Sequence, residues 1–185
     1  MDTLIFVLEL IGTLAFAASG AMTGIRKNMD IFGVAILGLT TAVGGGVIRD
    51  LILGSTPPRT FQDPIYAGLA VATAMAVFIV ARRGWFEGRH QFYDLAMLVM
   101  DSLGLGAFTV TGVGAALEAG QDGAFLLIFV GVVTGVGGGV LRDLFVASGQ
   151  EVDGDEGIQR KALRGHGLGG APGAQVQGGE DRREK

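Results

Sequence analysis

Five long apolar stretches dominate the chain, and short polar segments separate them. A helix needs roughly 20 residues, at about 1.5 Å rise per residue, to cross the hydrocarbon core of a bilayer, and each stretch is close to that length. They run from Leu4 to Ile25, Ile31 to Leu53, Pro64 to Ala81, Leu95 to Leu117 and Ala124 to Val146. With 49% hydrophobic and 17% charged residues, the composition favours a membrane protein over a soluble domain. The pattern predicts an all-α polytopic membrane protein.

The residue types in the chain narrow its chemistry. There is no cysteine, which excludes disulfides, thiolate chemistry and cysteine metal ligands. The two histidines, His90 and His166, are too far apart in the sequence for a local ligand pair. No nucleophile stands with a base or a metal set at membrane depth. We therefore expect no enzyme, no cofactor, no metal beyond transient monovalent cations and no nucleic-acid partner.

The second and fifth stretches contain the same motif. The segment TAVGGGVIRDL at 41–51 recurs, with few changes, as TGVGGGVLRDL at 134–144, 93 residues later. A shift of 92 residues aligns Gly12, Ala15, Phe16, Gly20 and Glu9 with Gly104, Ala107, Phe108, Gly112 and Asp101. The sequence therefore consists of two copies of one membrane unit.

The number of crossings predicts how the two copies are arranged. The first copy has three stretches, and three is odd, so the second copy enters the membrane from the opposite face. The result is an inverted repeat of three-helix units, a plan found in transporters with sites near the midplane. We assign residues 1–90 to the first repeat and 91–147 to a second, incomplete repeat. Residues 148–185 form a polar, glycine-rich tail, for which we expect disorder.

Basic residues predict the orientation. If the stretches alternate across the membrane, five basic residues fall in loops on one side, and the opposite side holds only Arg59. The five are Arg26, Lys27, Arg82, Arg83 and Arg89. By the positive-inside rule the N-terminus is outside and the C-terminal tail is cytoplasmic.

The glycine triads allow two interpretations. Glycine destabilises helix, so a triad at mid-membrane depth favours a broken helix whose freed carbonyls line a pathway for a cation. The candidate pore-lining residues are Gly44, Gly45, Gly46, Gly137, Gly138 and Gly139, with hydroxyls from Thr41 and Thr134. Small residues four apart also permit close packing of helices in lipid. They recur here as Gly38, Ala42 and Gly46, and as Gly131, Gly135 and Gly139. Both roles stay open.

Each triad is followed by an Arg-Asp pair, Arg49-Asp50 and Arg142-Asp143, which we also place among the pore-lining or ion-binding residues. Charges inside a membrane are costly without partners. Helix neighbours in sequence do not face each other, so we do not expect the two members of a pair to bind one another. Arg49 instead has Glu9 as a candidate partner, and Arg142 has Asp101, so each mouth of the pathway receives two acids and one arginine. Asp50 and Asp143 then need water, a cation or a neighbouring subunit.

These motifs resemble the prokaryotic branch of the trimeric intracellular cation channel (TRIC) family. The resemblance rests on LIGTLAFAASGAMTG at 10–24, DIFGVAILGLTTAVGGGVIRDLILG at 30–54, DSLGLGAFTVTG at 101–112 and TGVGGGVLRDLF at 134–145. It implies seven helices, a homotrimer in the bacterial inner (plasma) membrane, and a pore in each protomer for monovalent cations, chiefly potassium. It also implies that the glycine-broken second and fifth helices line that pore.

The end of the sequence departs from that pattern, because no apolar stretch follows Val146. The sixth and seventh spanning helices of the family are therefore not expected here. An altered reading frame, a truncated gene and a genuine five-helix variant are alternatives, and one functional alternative is an inactive product.

A second functional alternative is a secondary transporter of small neutral amino acids, since bacterial relatives are also labelled glycine transporters. The motif fits both activities. The symmetric sites, and the lack of a substrate-shaped set of polar groups in either half, favour the channel.

Overall fold

The computed structural model describes the backbone of residues 2–83 and 90–166 and the side chains of residues 3–83 and 91–148. The helices are α1 (Asp2–Arg26), α2 (Ile31–Ile52), α3 (Arg59–Gln62), α4 (Pro64–Arg82), α5 (His90–Glu118) and α6 (Ala124–His166). The chain divides into two compact units, Met1–Ser148 and Gly149–Lys185.

The described part of the chain contains five helices that are long and apolar enough to span a membrane. They are Thr3–Arg26, Ile31–Ile52, Pro64–Arg82, Gln91–Glu118 and Ala124–Ser148. The five predicted stretches are thereby confirmed, and so is the all-α fold class. Many large apolar side chains on these helices are exposed, among them Leu4, Phe32, Leu98 and Phe125, as expected of surfaces that face lipid.

The structure corrects the expected end of the last helix. We expected the helix to stop near Val146, but α6 continues to His166. The rest of the tail for which we expected disorder, residues 167–185, lies outside the described residues.

Local chemistry sets several helix ends. Asp30 caps α2, because its carboxylate accepts a hydrogen bond of 2.8 Å from the amide of Gly33. Asp63 caps α4 in the same way, and Pro64 occupies the first turn, where a missing amide costs nothing. After α5 the chain turns at Gly120, whose φ of 74° is accessible to glycine without strain.

The two copies pack against each other with reciprocal contacts. Along the interface between α1 and α5, Gly12 lies against Phe108, Phe16 against Gly104, and Ser19 against Asp101. Residue numbers rise on one helix as they fall on the other, so α1 and α5 are antiparallel. The contact of Gly12 with Phe108 and the contact of Phe16 with Gly104 are the same contact with the copies exchanged. Such reciprocity is the mark of a two-fold relation.

The second helices of the copies cross at the glycine triads with the same reciprocity. A side chain on Gly45 would collide with the carbonyl oxygen of Thr134, and a side chain on Gly138 would collide with that of Thr41. Both α2 and α6 remain helical through their triads, so the expected break in these helices is not observed. The bare glycine faces let two intact helices approach closely, which stabilises them against unwinding.

Candidate functional site

Arg49 is the centre of a buried charge cluster on α2, which we call the first cluster. Its Nε lies 2.8 Å from a carboxylate oxygen of Asp50, and its Nη1 lies 3.1 Å from Glu9 on α1. The phenolic hydroxyl of Tyr66, on α4, donates a 2.9 Å hydrogen bond to the other oxygen of Glu9. The first cluster therefore consists of Glu9, Arg49, Asp50 and Tyr66, and it joins all three long helices of the first copy.

Asp50 has two partners, contrary to our expectation. One carboxylate oxygen accepts from Arg49, and the other accepts a 2.8 Å bond from the backbone amide of Arg59, the first residue of α3. The prediction that sequence neighbours do not pair was wrong here. The arginine stem is long enough to fold back along the helix, and its guanidinium offers five donors at several angles. Asp50 thus needs no ion to satisfy it, and it anchors the loop between α2 and α4.

The second cluster surrounds Arg142 on α6. Its Nη1 lies 2.6 and 2.8 Å from the two carboxylate oxygens of Asp101 on α5, and its Nε lies 3.0 Å from Asp143. The same Nη1 donates to the hydroxyl of Ser19, which in turn donates a 2.6 Å bond to Asp101. Ser19 belongs to α1, so a residue of the first copy completes the cluster of the second copy.

The two clusters differ in exposure. The side chain of Asp50 is 2% exposed, whereas that of Asp143 is 70% exposed.

Both predicted cross-helix pairs, Arg49 with Glu9 and Arg142 with Asp101, are confirmed. Tyr66 and Ser19 were missed by sequence reasoning. The signal for both was a hydroxyl at membrane depth, which needs a hydrogen-bond partner that lipid does not supply.

Each glycine triad divides its residues between two roles. In the first triad Gly44 packs against Leu141 and Gly45 against the backbone of Thr134. Gly46 is different, because a Cβ placed there would lie 4.0 Å from the guanidinium of Arg49 and would collide with nothing. The second triad repeats this division, with Gly137 and Gly138 against α2 and Gly139 beside Arg142. Packing and an open face towards the charges therefore coexist in one motif.

The hydroxyls of Thr41 and Thr134 do not face an open space. Both residues are fully buried, and each hydroxyl donates a 2.6 Å bond to a carbonyl four residues earlier on its own helix. The Thr41 hydroxyl also lies beside Gly20, as that of Thr134 lies beside Gly112. These threonines lock the first two helices of each copy together.

A small cavity adjoins the first cluster, with a volume of about 30 Å³. This is room for one or two water molecules. Its walls include Glu9, Thr13, Gly46, Arg49, Tyr66 and Phe108. The charged and hydroxyl groups lie on the side of the first cluster, and Phe108, from the second copy, closes the cavity on another side.

The model of a family described as glycine transporter matches residues 6–82 and 98–151. The chain belongs to this family. A membrane protein of Deinococcus radiodurans is 42% identical over 145 residues, which are 78% of this chain and 64% of that protein. The inner membrane protein YadS of Escherichia coli is 37% identical over 141 residues, 76% of this chain and 65% of the relative. The chain thus spans less than two thirds of the length of these relatives.

Solved structures of the family have the same fold. A crystal structure of a prokaryotic TRIC channel in 0.5 M KCl matches with a TM-score of 0.73 and 32% identity, over 79% of this chain and 72% of that one. The TRIC trimeric intracellular cation channel orthologue from Rhodobacter sphaeroides matches with a TM-score of 0.70 and 38% identity, over 77% and 70%. The resemblance to TRIC proteins inferred from the motifs is confirmed, and the chain is a multi-pass bacterial membrane protein.

Asp50 should contribute more to stability than Asp143, because Asp50 is buried and Asp143 is exposed. Asp50→Asn removes a buried charge between Arg49 and the Arg59 amide, where hydrogen bonds to charged groups contribute about 1.5–3 kcal/mol. Asp143→Asn changes a pair whose carboxylate is 70% exposed, and exposed carboxylates typically contribute about 0–1 kcal/mol. We expect a clearly lower unfolding temperature for Asp50→Asn alone, measured in detergent. Equal shifts in the two variants would contradict the structural role given to Asp50.

Proposed function

We propose that this protein is a membrane channel for monovalent cations, chiefly potassium, with the pathway inside each protomer between the first and second clusters. The observation that carries the proposal is the charge of the two clusters. Each holds two carboxylates and one guanidinium, so each has a net charge of about minus one when all groups are ionised. Rings of carboxylates at a pore mouth attract cations and repel anions.

The proposed pathway uses the open face of each triad. Gly46 and Gly139 lie beside the arginines, and the small cavity at the first cluster would be the entrance of the pathway from one side.

We further propose that the two copies form an inverted repeat in the bacterial inner membrane, with the N-terminus outside. The antiparallel packing of α1 and α5 supports this arrangement, and the distribution of basic loop residues supports the orientation.

Flux measurements with matched glycine variants test the pathway. Gly46→Ala and Gly139→Ala place a methyl group about 4.0 Å from an arginine without a collision, whereas Gly106→Ala places one in open space at an exposed position of α5. In liposomes with a potassium gradient, we expect the first two variants to fold normally and to lower potassium flux several-fold. Gly106→Ala should conduct as the unchanged protein does. Equal flux in all three variants would place the pathway elsewhere.

The alternative activity is transport of a small neutral amino acid such as glycine, and the description of the matching family model favours it. The same liposomes separate the two. A channel gives potassium flux that does not saturate at low concentration and needs no second ion. A secondary transporter gives saturable uptake of labelled glycine driven by an ion gradient. Glycine uptake without potassium conductance would replace our proposal with this one.

We propose a homotrimer as the assembly. Gly68, Ala72 and Ala76 are exposed on α4, whereas Ala70 and Ala74 of the same helix are buried against the rest of the chain. A stripe of small residues that is exposed among the described residues suits contact with a neighbouring subunit.

The double variant Gly68→Leu/Ala72→Leu should therefore convert trimers into monomers, because leucine side chains would prevent close approach of the helices. Mass measured by light scattering in detergent reports the change, with Val110→Leu, on an exposed position of α5, as control. If the double variant keeps the mass of a trimer, the stripe faces lipid and the subunit contacts lie elsewhere.

A further inference from the structure

Phe16 and Phe108 meet at the interface between the two copies. Their ring centroids are 5.4 Å apart and the rings are tilted by 33°. Both side chains are buried, with exposures of 2% and 5%. The two residues are equivalent positions of the repeat, so the pair lies on the axis that relates the copies.

The rings lie between the two charge clusters. Along α1, the first cluster contributes Glu9 and the second cluster contacts Ser19, ten residues or about 15 Å apart. Phe16 comes between them in the sequence, on the helix face that includes Thr13 of the cavity wall. On α5, which runs the opposite way, Phe108 is seven residues or about 10 Å from Asp101. A direct route from one cluster to the other therefore meets the aromatic pair.

The rings are held on bare backbone and leave little space around them. A Cβ on Gly104 would lie 2.7 Å from the ring of Phe16, and a Cβ on Gly12 would lie 3.0 Å from the ring of Phe108. The ring of Phe16 also reaches the glycine triad of α6, 3.2 Å from the position that a Cβ of Gly138 would take. Phe108 in turn forms part of the wall of the cavity at the first cluster.

We infer that Phe16 and Phe108 form the barrier that closes the pathway between the two clusters in this structure. This inference rests on the proposed channel function and assigns to the pair the control of permeation. A hydrated cation that leaves the charged cavity meets two aromatic rings that offer no oxygen ligand and exclude water. An apolar constriction of this kind blocks ions because it is dry, even where it is not fully filled. Conduction requires the rings to separate or to turn away from each other.

Removal of either ring tests the barrier. Phe16→Ala and Phe108→Ala should raise resting potassium flux in liposomes by about tenfold or more, which corresponds to a barrier lower by about 1.4 kcal/mol. Phe129→Ala is the matched control, because this ring on α6 is 45% exposed and stacks on Phe125 with the ring centroids 6.3 Å apart. Its flux should equal that of the unchanged protein. Phe108→Leu keeps an apolar side chain against Gly12, so it should fold even if the alanine variants do not, and its flux should be intermediate.

The outcomes separate this inference from the proposed function. Flux that rises in the Phe16 and Phe108 variants but not in Phe129→Ala supports both, even if the unchanged protein conducts too little to measure. If folded Phe108 variants conduct at the unchanged rate while Gly46→Ala still lowers flux, the pathway stands and the aromatic barrier is wrong. Absence of potassium flux from the unchanged protein and from every variant overturns both.

Discussion

Replacing Arg49 by methionine should destabilise the protein by about 3–5 kcal/mol, the cost typical of removing one partner from a buried ion pair. Arg49 is 4% exposed and binds both Glu9 and Asp50, which are themselves largely buried. Methionine fills much of the same volume but leaves two carboxylates without their cation. We expect a large fall in unfolding temperature in detergent, or loss of the monodisperse protein.

The control for this change is Arg59→Met, which has the same chemistry at an exposed pair. Arg59 binds Glu118 at 3.1 Å, and their side chains are 48% and 34% exposed. We expect an effect of about 0–1 kcal/mol there. The double variant Arg49→Met/Glu9→Gln should recover part of the lost stability, because it removes one of the uncompensated charges. No difference between Arg49→Met and Arg59→Met would show that the first cluster does not hold the helices together.

Gly45→Ala and Gly138→Ala should each destabilise the crossing of α2 and α6. Alanine normally stabilises a helix relative to glycine by up to about 1 kcal/mol. At these two positions the added methyl group would meet a backbone oxygen of the crossing helix, which cannot move aside as a side chain would. We therefore expect alanine to destabilise the protein here. Each variant should lower the free energy of unfolding by about 1–3 kcal/mol, as at other overpacked sites.

Gly46→Ala and Gly139→Ala are controls from the same triads, since nothing lies close to a methyl group at either position. They should unfold at the same temperature as the unchanged protein or slightly higher. Unfolding followed by loss of the monodisperse peak on heating compares all four variants directly. Equal behaviour of Gly45→Ala and Gly46→Ala would mean that the helices do not cross as described.

The helices and the principal ion pairs could be predicted from the sequence because both depend on strong, simple energetic effects. Apolar length specifies the spans, and a charge in lipid must find an opposite charge at its own depth, which pointed from Arg49 to Glu9 and from Arg142 to Asp101. Tyr66 and Ser19 were harder to place, since a single hydroxyl fits many surroundings.

The conformation of the triads could not be predicted from the glycines alone. Glycine makes both a broken helix and a close helix crossing less costly. Which of the two forms depends on the partner helix. The carbonyls of Thr134 and Thr41 lie directly against Gly45 and Gly138, so the crossing prevailed. Likewise, the pairing of Arg49 with Asp50 depends on how the arginine stem folds, which spacing along the helix does not determine.

Ser19 makes the two halves of the protein interdependent. The first half contributes this hydroxyl to Arg142 and Asp101, and the second half contributes Phe108 to the cavity wall beside Glu9. Without the other half, the second cluster lacks Ser19 and the cavity lacks one wall, so expression of one half alone should give an incomplete product. A change at Ser19 should therefore disturb the surroundings of Arg142, although 123 positions separate the two residues along the chain.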